Sequence, residues 1–492
     1  NAATTKRKFV GDALHTDPVV ANYTGSIERV AYFMTNEGYL HAIDVTGNTD
    51  SSGGNELFSY MPSDLLDNLD PLRRNVGGDP KIYGLDGPLT LFQVGGPTNT
   101  SGNKYLYFGM RRGGMNYYAL DVTDPTAPSM MWVIEGGTGD FQEMGQSWSE
   151  PIVTNVTHGG STKLALVIGG GYDTTQDTAT TYTPDSRGRA VYVVDAVNDS
   201  DSDGFADVLW SAGPNTMSPV SPDSHDLDLD LTNGIAGDVS VVDFNNDTIA
   251  DRLYFGDTGG HIWRVDFQGD LNGTSGFSAD FSGYELADLH GNSTNDNRRF
   301  FGRPVAAQTA SGKLAVVVGS GHRSHPLDTV VQDRFYVIYD PNGNGVPASD
   351  PGPIDDSDLQ DITGFGSGFT NLSKDGWRFD LDIAGEKVFN AASVLRGEIF
   401  ISTYYPPAIP CSNSPDGSRL FVLDLEGKPT RDLDTSITGL DPFISTLNFG
   451  IVSEYTLHYS AHDGNVRGIN LPNVQGIYAT GSLFDRFWTN NP

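Results

Sequence analysis

One pattern recurs along the chain: a strand-like apolar run, a glycine turn, and a second run that closes in hxhhD, where h is apolar. Its most compact copy is 252-RLYFGDTGGHIWRVDF-267. Seven copies occupy residues 30–47, 104–124, 164–197, 252–267, 314–341, 398–427 and 452–471. Each copy predicts a hairpin whose apolar face cannot be buried alone, so the copies must pack against one another.

About seven such units closing into a ring predict an all-β fold, a seven-bladed, modified β-propeller. A ring accommodates 492 residues in a single domain, 1–492, although single cores stop growing near roughly 250–300 residues. The 59 Gly and 27 Pro residues favour short strands and turns over long helices. Long inserted loops, predicted to lie on the surface, are residues 48–90, 174–189, 215–235, 268–300 and 342–390.

The net charge of -33 repels phosphate groups, which excludes nucleic acid and anionic membranes as partners. The single cysteine, Cys411, cannot form a disulfide within the chain, so we expect a free thiol or a link to another segment. No run approaches the ~20 apolar residues of a transmembrane helix. The chain begins without Met or an apolar leader, and we expect the C-terminal domain of a longer secreted protein.

Two acidic segments have the spacing of a calcium-binding loop, which supplies oxygen ligands from positions 1, 3, 5, 7 and 9. We call residues 199–207 loop 1 and residues 243–251 loop 2. In loop 1 the predicted ligands are Asp199, Asp201, Asp203, the carbonyl of Phe205, and Asp207. In loop 2 they are Asp243, Asn245, Asp247, the carbonyl of Ile249, and Asp251. One or two Ca²⁺ ions are therefore expected.

The alternative for both loops is an ordinary turn, because Asp, Asn and Gly favour turns. Four aspartates within nine residues repel one another unless a cation lies among them, which favours calcium in loop 1. Gly204 also suits the strained position 6, whereas loop 2 has the β-branched Thr248 there. The segment 340-DPNGNGVPASD-350 has too few carboxylates and is predicted to be a turn.

The segments 241-VVDFNNDTIADRLYFGDTGGHIWRVDF-267 and 107-YFGMRRGGMNYYALDVT-123 resemble the C-terminal β-propeller domain of the PilY/PilC-type proteins. That family comprises type IV pilus tip adhesins and biogenesis factors. The resemblance, also seen at 144-MGQSWSEPIV-153, implies a surface protein at the pilus tip or outer membrane, whose EF-hand-like calcium loop regulates pilus extension and retraction. The family's calcium loop falls on loop 2, which favours loop 2 over loop 1. Implied partners are pilus tip or minor pilin subunits and host or abiotic surfaces.

An enzymatic alternative comes from 40-LHAIDVTGN-48, which resembles the repeat of quinone-dependent dehydrogenases. Many of those enzymes use a vicinal cysteine pair, which one cysteine cannot supply. The histidines are scattered, and the pair in 322-HRSH-325 has no third ligand evident in the sequence. We therefore predict a non-enzymatic protein, with a dehydrogenase-like enzyme and a purely scaffolding propeller as the alternatives.

Overall fold

The computed structural model describes residues 10–47, 54–74, 81–214, 226–363, 373–407 and 417–427, and the backbone of four later strands. Cys411 lies outside the described residues. In this part of the chain, thirty strands form seven sheets, which we number in chain order. Sheet 1 contains β1 (Val19–Asn22), β2 (Arg29–Met34), β3 (Leu40–Asp44) and β4 (Glu56–Tyr60). Sheet 2 contains β5 (Leu89–Gln93), β6 (Lys104–Gly109), β7 (Tyr117–Asp121) and β8 (Ser129–Ile134).

The next three sheets have five strands each. Sheet 3 contains β9 (Ile152–His158), β10 (Ser161–Gly169), β11 (Val191–Asp195), β12 (Val208–Gly213) and β13 (Leu227–Asp228). Sheet 4 contains β14 (Ser240–Val242), β15 (Arg252–Gly256), β16 (His261–Phe267) and β17 (Phe281–Asp288). Sheet 5 begins with β18 (Val305–Gln308), β19 (Leu314–Gly319) and β20 (Arg334–Asp340). The chain then adds β21 (Ile354–Asp355) to sheet 4, and β22 (Gln360–Asp361) and β23 (Gly376–Asp380) to sheet 5.

Two smaller sheets complete the described chain. Sheet 6 contains β24 (Ser393–Leu395), β25 (Glu398–Tyr405), β26 (Gly417–Asp424) and β27 (Ser436–Leu440). Sheet 7 contains β28 (Leu447–Val452), β29 (Glu454–Ser460) and β30 (Val466–Asn470). Within the described residues, helical structure is confined to α1 (Leu69–Arg74) and to short 3₁₀ turns at Ser63–Asn68, Arg111–Gly113, Gly139–Phe141, Thr174–Asp177 and Asp356–Asp358. Among the described helices, none is long and apolar enough to cross a membrane.

The seven sequence repeats correspond to the second and third strands of sheets 1 to 6 and to the last two strands of sheet 7. Four of the predicted inserts contain strands as well as loops: residues 48–90 include β4, which pairs with β3, and residues 215–235 include β13, which pairs with β12. Residues 268–300 include β17, and residues 342–390 include β23, each of which is hydrogen-bonded to the third strand of its sheet. The prediction of surface loops was therefore wrong for these strands, because outer strands lack the closing pattern that marks the repeat.

The hydrophobic core lies between successive sheets, in what we call seams. Each of the five clusters that join sheets 1 to 6 in order takes buried side chains from both neighbours. Fully buried tryptophans anchor three of these seams: Trp132 between sheets 2 and 3, Trp210 between sheets 3 and 4, and Trp377 between sheets 5 and 6. Because both faces of a sheet are covered, strands such as β16 are buried along their whole length. This seam-by-seam core is that of a β-propeller.

Candidate functional site

Loop 1 and loop 2 lie in neighbouring sheets, at the seams of sheet 3. Loop 1 follows β11 and leads into β12, while loop 2 joins β14 to β15. In both loops the residue at position 9, Asp207 or Asp251, immediately precedes the next strand. The strand–loop–strand setting predicted from sequence is therefore the setting that the structure has.

The two loops share one pattern of hydrogen bonds from backbone N–H groups to side-chain oxygens. In loop 1, the N–H groups of Asp203 and Gly204 donate to the two carboxylate oxygens of Asp199, at 3.2 and 2.7 Å. In loop 2, the corresponding groups of Asp247 and Thr248 donate to Asp243, at 3.2 and 2.9 Å. The carboxylate at position 1 thus organises each loop from its first residue.

The carboxylate at position 9 closes each loop from the other end. Asp207 accepts from the N–H of Ser200 at 2.8 Å, and Asp251 accepts from the N–H of Phe244 at 2.6 Å. The position-5 carboxylates likewise accept from the N–H at position 7, at 2.8 Å in both loops. The carboxylates at positions 1, 5 and 9 therefore all accept N–H bonds from within their own loop, and these bonds hold each loop in a closed turn.

Both loops have left-handed backbone at the same two positions. Position 4 has φ of 61° at Ser202 and 64° at Asn246, and position 6 has φ of 90° at Gly204 and 73° at Thr248. A β-branched residue is strained in this region, so Thr248 adopts a conformation that its side chain disfavours. The sequence identified Thr248 as the departure from the loop pattern, and the structure shows that loop 2 keeps the conformation regardless.

The acidic groups of the two loops differ in their electrostatics. The pKa of Asp199 is lowered: desolvation raises it, but the N–H groups of Gly204 and Asp203 lower it by more. The pKa of Asp201 is raised: the N–H of Asp203 lowers it, but desolvation and the charges of Asp203 and Asp199 outweigh that bond. Carboxylates that oppose one another's ionisation in this way form the electrostatic environment that a divalent cation relieves.

In loop 2 the carboxylate with a shifted pKa is that of Asp251, at position 9. Burial raises the pKa of Asp251, and the charges of Asp247 and Asp243 add to this effect, against hydrogen bonds from the N–H groups of Asn245 and Phe244. The donor sets of both loops, oxygen atoms with several carboxylates, fit Ca²⁺.

Each loop also docks onto the preceding sheet. In loop 1, the carbonyl of Gly204 accepts from the N–H of Val133 in β8 at 3.0 Å, and the N–H of Ala206 donates back to Val133 at 3.1 Å. In loop 2, the N–H of Ala250 donates to the carbonyl of Asn155 in β9 at 2.8 Å, and the Asn155 side chain donates to the carbonyl of Thr248 at 3.1 Å. Loop 1 thus bridges sheets 2 and 3, and loop 2 bridges sheets 3 and 4.

Two other predicted features have ordinary structural roles. Asp340, in the segment predicted to be a turn, is buried and pairs with Arg264 at 2.7 Å, while residues 341–345 form turns. His322 and His325 pack ring to ring at 4.7 Å, and His322 Nε2 lies 2.7 Å from the Ser324 hydroxyl. Within the described residues, no third ligand joins this histidine pair.

Ligand-bearing side chains converge at two places in the described chain. Asp199, Asp201 and Asp203 of loop 1 place their oxygens within 4.8 Å of one another. So do His261, Asp288 and His290, a combination that sequence analysis missed. The pairing of β16 with β17 sets His261 opposite Asp288, and the spacing of the histidines in the sequence gives no sign of that register.

One known protein family matches the first half of the chain. A family model described as the PilY1 beta-propeller domain matches residues 18–289, which include sheets 1 to 3, most of sheet 4 and both acidic loops. The chain is 28% identical to the type IV pilus biogenesis factor PilY1 of Pseudomonas aeruginosa PAO1 over 302 residues, which is 60% of this chain and 22% of that protein.

A PilY1 homolog of Xylella fastidiosa is 24% identical over 525 residues, covering 98% of this chain and 36% of that protein. The chain thus spans between about a fifth and two fifths of the length of these relatives. The crystal structure of the Pseudomonas aeruginosa PilY1 C-terminal domain superposes with a TM-score of 0.60 at 18% identity, over 90% of this chain and 93% of that domain. The family model covers more than half of the residues, and the chain belongs to the PilY1 β-propeller family.

Proposed function

We propose that this chain is the calcium-binding, non-enzymatic propeller of a type IV pilus biogenesis factor, displayed at the cell surface or the pilus tip. The observation that carries the proposal is the pair of acidic loops with one shared pattern of N–H···O bonds. The names of the PilY1 relatives, which are pilus biogenesis factors, support the pilus role. The seven sheets of the described chain support seven blades, with residues 1–492 forming one domain.

Calcium would act as a clamp in this proposal. Neutralising the carboxylates of loop 2 lets Asp251 remain ionised while half-buried, and it holds the loop in the conformation that bonds to Asn155 in β9. Because the ion binds the ordered loop only, mass action makes that order depend on free calcium. The ordered surface at the seam would then contact a pilus tip or minor pilin subunit, or a host or abiotic surface. The net charge of -33 opposes nucleic acid as a partner.

Calorimetric titration of calcium into chelator-stripped protein tests the proposal. We expect two saturable sites in the wild type, one lost in Asp203→Ala and the other in Asp247→Ala, in sodium chloride high enough to screen nonspecific binding. Asp124→Ala is the matched control, because Asp124 is an exposed carboxylate that accepts N–H bonds in a turn outside both loops. Absence of saturable binding in the wild type, or loss of binding in the control, contradicts the calcium assignment.

The pilus role needs a second measurement. Binding of purified minor pilins to the immobilised chain should strengthen with calcium and lose that dependence in Asp247→Ala. A chain that binds calcium with no change in affinity for any pilin or surface would be a scaffold, and oxidation of an alcohol with a dye acceptor would indicate an enzyme.

A further inference from the structure

The cluster of His261, Asp288 and His290 lies at the end of sheet 4 opposite loop 2. His261 opens β16 directly after the turn that follows β15, and Asp288 closes β17 as its register partner. Loop 2 ends immediately before β15, and five strand residues at about 3.3 Å each separate the two places by about 17 Å. The cluster is therefore separate from loop 2, and loop 1 bridges sheets 2 and 3 instead.

The ligand atoms lie at distances close to those of a coordination shell. His261 Nε2 is 3.9 Å from Asp288 Oδ1, and His290 Nδ1 is 2.5 Å from the same oxygen. Around a tetrahedral zinc ion, ligands about 2.0 Å from the metal lie ~3.3 Å from one another. Small side-chain adjustments would bring all three groups to that spacing.

Asp257 holds the His261 ring in the orientation that a metal ligand needs. Its carboxylate accepts from His261 Nδ1 at 2.9 Å, from Trp263 Nε1 at 3.0 Å and from the N–H of Gly259 at 2.8 Å. Because a carboxylate only accepts, Nδ1 carries a hydrogen, so Nε2, which lies 3.9 Å from Asp288, is the ring nitrogen left to bind a metal ion. A carboxylate behind the histidine is the usual support of a metal-bound imidazole.

Two further groups adjoin the cluster. Glu285 lies on β17 and its Oε1 atom is buried without a hydrogen-bond partner among the described residues. The ring of Tyr182, from the β10–β11 connection, lies 5.1 Å from the His290 ring and is held by a 2.8 Å bond to Thr232. An orphaned carboxylate oxygen and an aromatic cover are features that an ordinary exposed His–Asp pair does not need.

We propose that His261, Asp288 and His290 form a binding site for a divalent transition-metal ion. Two imidazoles and a carboxylate suit Zn²⁺ and its neighbours in the first transition row, whereas Ca²⁺ takes oxygen ligands. Asp257 is a positioning residue for His261.

Zinc titration of the whole chain, stripped with chelator and then saturated with calcium to occupy the loops, tests this site. We expect one saturable Zn²⁺ site by calorimetry, and ligand-field absorption bands when Co²⁺ replaces Zn²⁺. His290→Gln, at a half-exposed position, should weaken Zn²⁺ binding at least tenfold and remove the Co²⁺ bands. Asp257→Asn should weaken binding about 10- to 100-fold.

His41→Gln is the control, because His41 Nδ1 lies 2.6 Å from Glu56 in a histidine–carboxylate pair that belongs to neither metal cluster. Its Zn²⁺ affinity should equal that of the wild type, and thermal unfolding without metal should show that every variant is folded. No saturable Zn²⁺ binding, or wild-type affinity in His290→Gln, overturns the proposal. So does loss of the Zn²⁺ signal in Asp203→Ala/Asp247→Ala, which would put the ion in the acidic loops. If the double variant loses calcium binding but still binds Zn²⁺ like the wild type, the zinc site is independent of the acidic loops. The calcium proposal and the zinc proposal can therefore be contradicted independently of each other.

Discussion

Loop 1 and loop 2 bind their first carboxylate with the same two N–H groups and turn through left-handed backbone at the same two positions. They differ in what their side chains contribute. Loop 1 has a carboxylate at position 3, Asp201, and a glycine at position 6, whereas loop 2 has Asn245 and Thr248 there. The extra carboxylate and the unstrained glycine both favour calcium binding in loop 1. The distinctive feature of loop 2 is the burial of its position-9 carboxylate, Asp251. One loop geometry can therefore be reached with different balances of repulsion and strain.

Removing one ligand from each loop should separate the two sites and gives the largest effect. Asp203→Ala and Asp247→Ala are each expected to weaken calcium binding at their own site about 100-fold, which corresponds to about 2.7 kcal/mol, and to leave the other site unchanged. Calorimetry of both single variants and of the double variant measures this. If either substitution abolished both sites, the loops would be coupled and the comparison between them would fail.

Removal of calcium should destabilise the fold by a comparable amount. At a free concentration 100 times the dissociation constant, each site adds about 2.7 kcal/mol to the free energy of unfolding. Chelation should lower the thermal unfolding temperature of the wild type by more than that of either single variant, and should leave the double variant unchanged. An equal decrease in the double variant would show that calcium acts outside both loops.

Substitutions at position 6 measure how much left-handed backbone strain contributes to the unfolding free energy. A Cβ atom at Gly204 would meet nothing within 4 Å, so Gly204→Ala should cost only the left-handed conformation, about 1 kcal/mol of unfolding free energy. Thr248→Gly should raise the unfolding free energy by about 0.5–1 kcal/mol for the same reason. Gly345→Ala is the control, since that glycine has open space and no positive φ. Equal effects at Gly204 and Gly345 in denaturant titrations would contradict the strain argument.

Exchange of the position-3 residues isolates charge. Asn245→Asp should tighten calcium binding in loop 2 by roughly three- to tenfold, and Asp201→Asn should weaken binding in loop 1 by a similar factor. Loss of the 3.2 Å bond from the Asn245 amide to Asp251 opposes part of the gain. Calorimetry at two salt concentrations measures both variants, and a weaker site in Asn245→Asp would show that this bond outweighs the charge.

The smallest effect is on pH dependence without calcium. The folded pKa of Asp251 is raised above its ordinary value of 3.8. Its contribution to the unfolding free energy therefore falls as pH rises from 3.8 through the folded pKa. Asp199 has the opposite shift, so its contribution is present above pH 3.8 and is lost as pH falls. Denaturant titrations between pH 3 and 6 in chelator should show the slope becoming more positive in Asp251→Asn and less positive in Asp199→Asn. Unchanged slopes in both variants would contradict these shifts.

The repeat made much of the fold predictable. The closing pattern marks the two middle strands of a blade because these strands are largely buried and the third strand of sheets 1 to 6 ends at or next to an aspartate. All seven copies lie on such strand pairs or on the last two strands of sheet 7. The first and last strands carry less information. β14 has three residues, and β17 contains Gly283 and pairs across an irregular register, so neither has a clear pattern in the sequence.

The conformation of the acidic loops was predictable because their carboxylates follow one another at a fixed spacing along one segment, while calcium binding by them stays a prediction. The His261 cluster was not, since its side chains come from the start of β16 and from the end of β17 and the residues just after it, and they meet only through the β16–β17 register. The same limit applies to the contacts between loops and neighbouring sheets. Val133 and Asn155 are ordinary strand residues, and nothing in their local sequence indicates that a loop from the next sheet bonds to their backbone.

Those contacts also bear on how the propeller responds to a pulling force. Neighbouring blades are held together chiefly by apolar side chains, which slide past one another more easily than hydrogen-bonded backbones separate. Loops 1 and 2 add main-chain bonds across two successive seams, from Gly204 to Val133 and from Ala250 to Asn155. An ion that held each loop in its closed conformation would make these hydrogen bonds harder to break under load. The tension needed to part sheet 3 from its neighbours would then rise with free calcium, so the ion concentration would set the mechanical strength of this part of the ring.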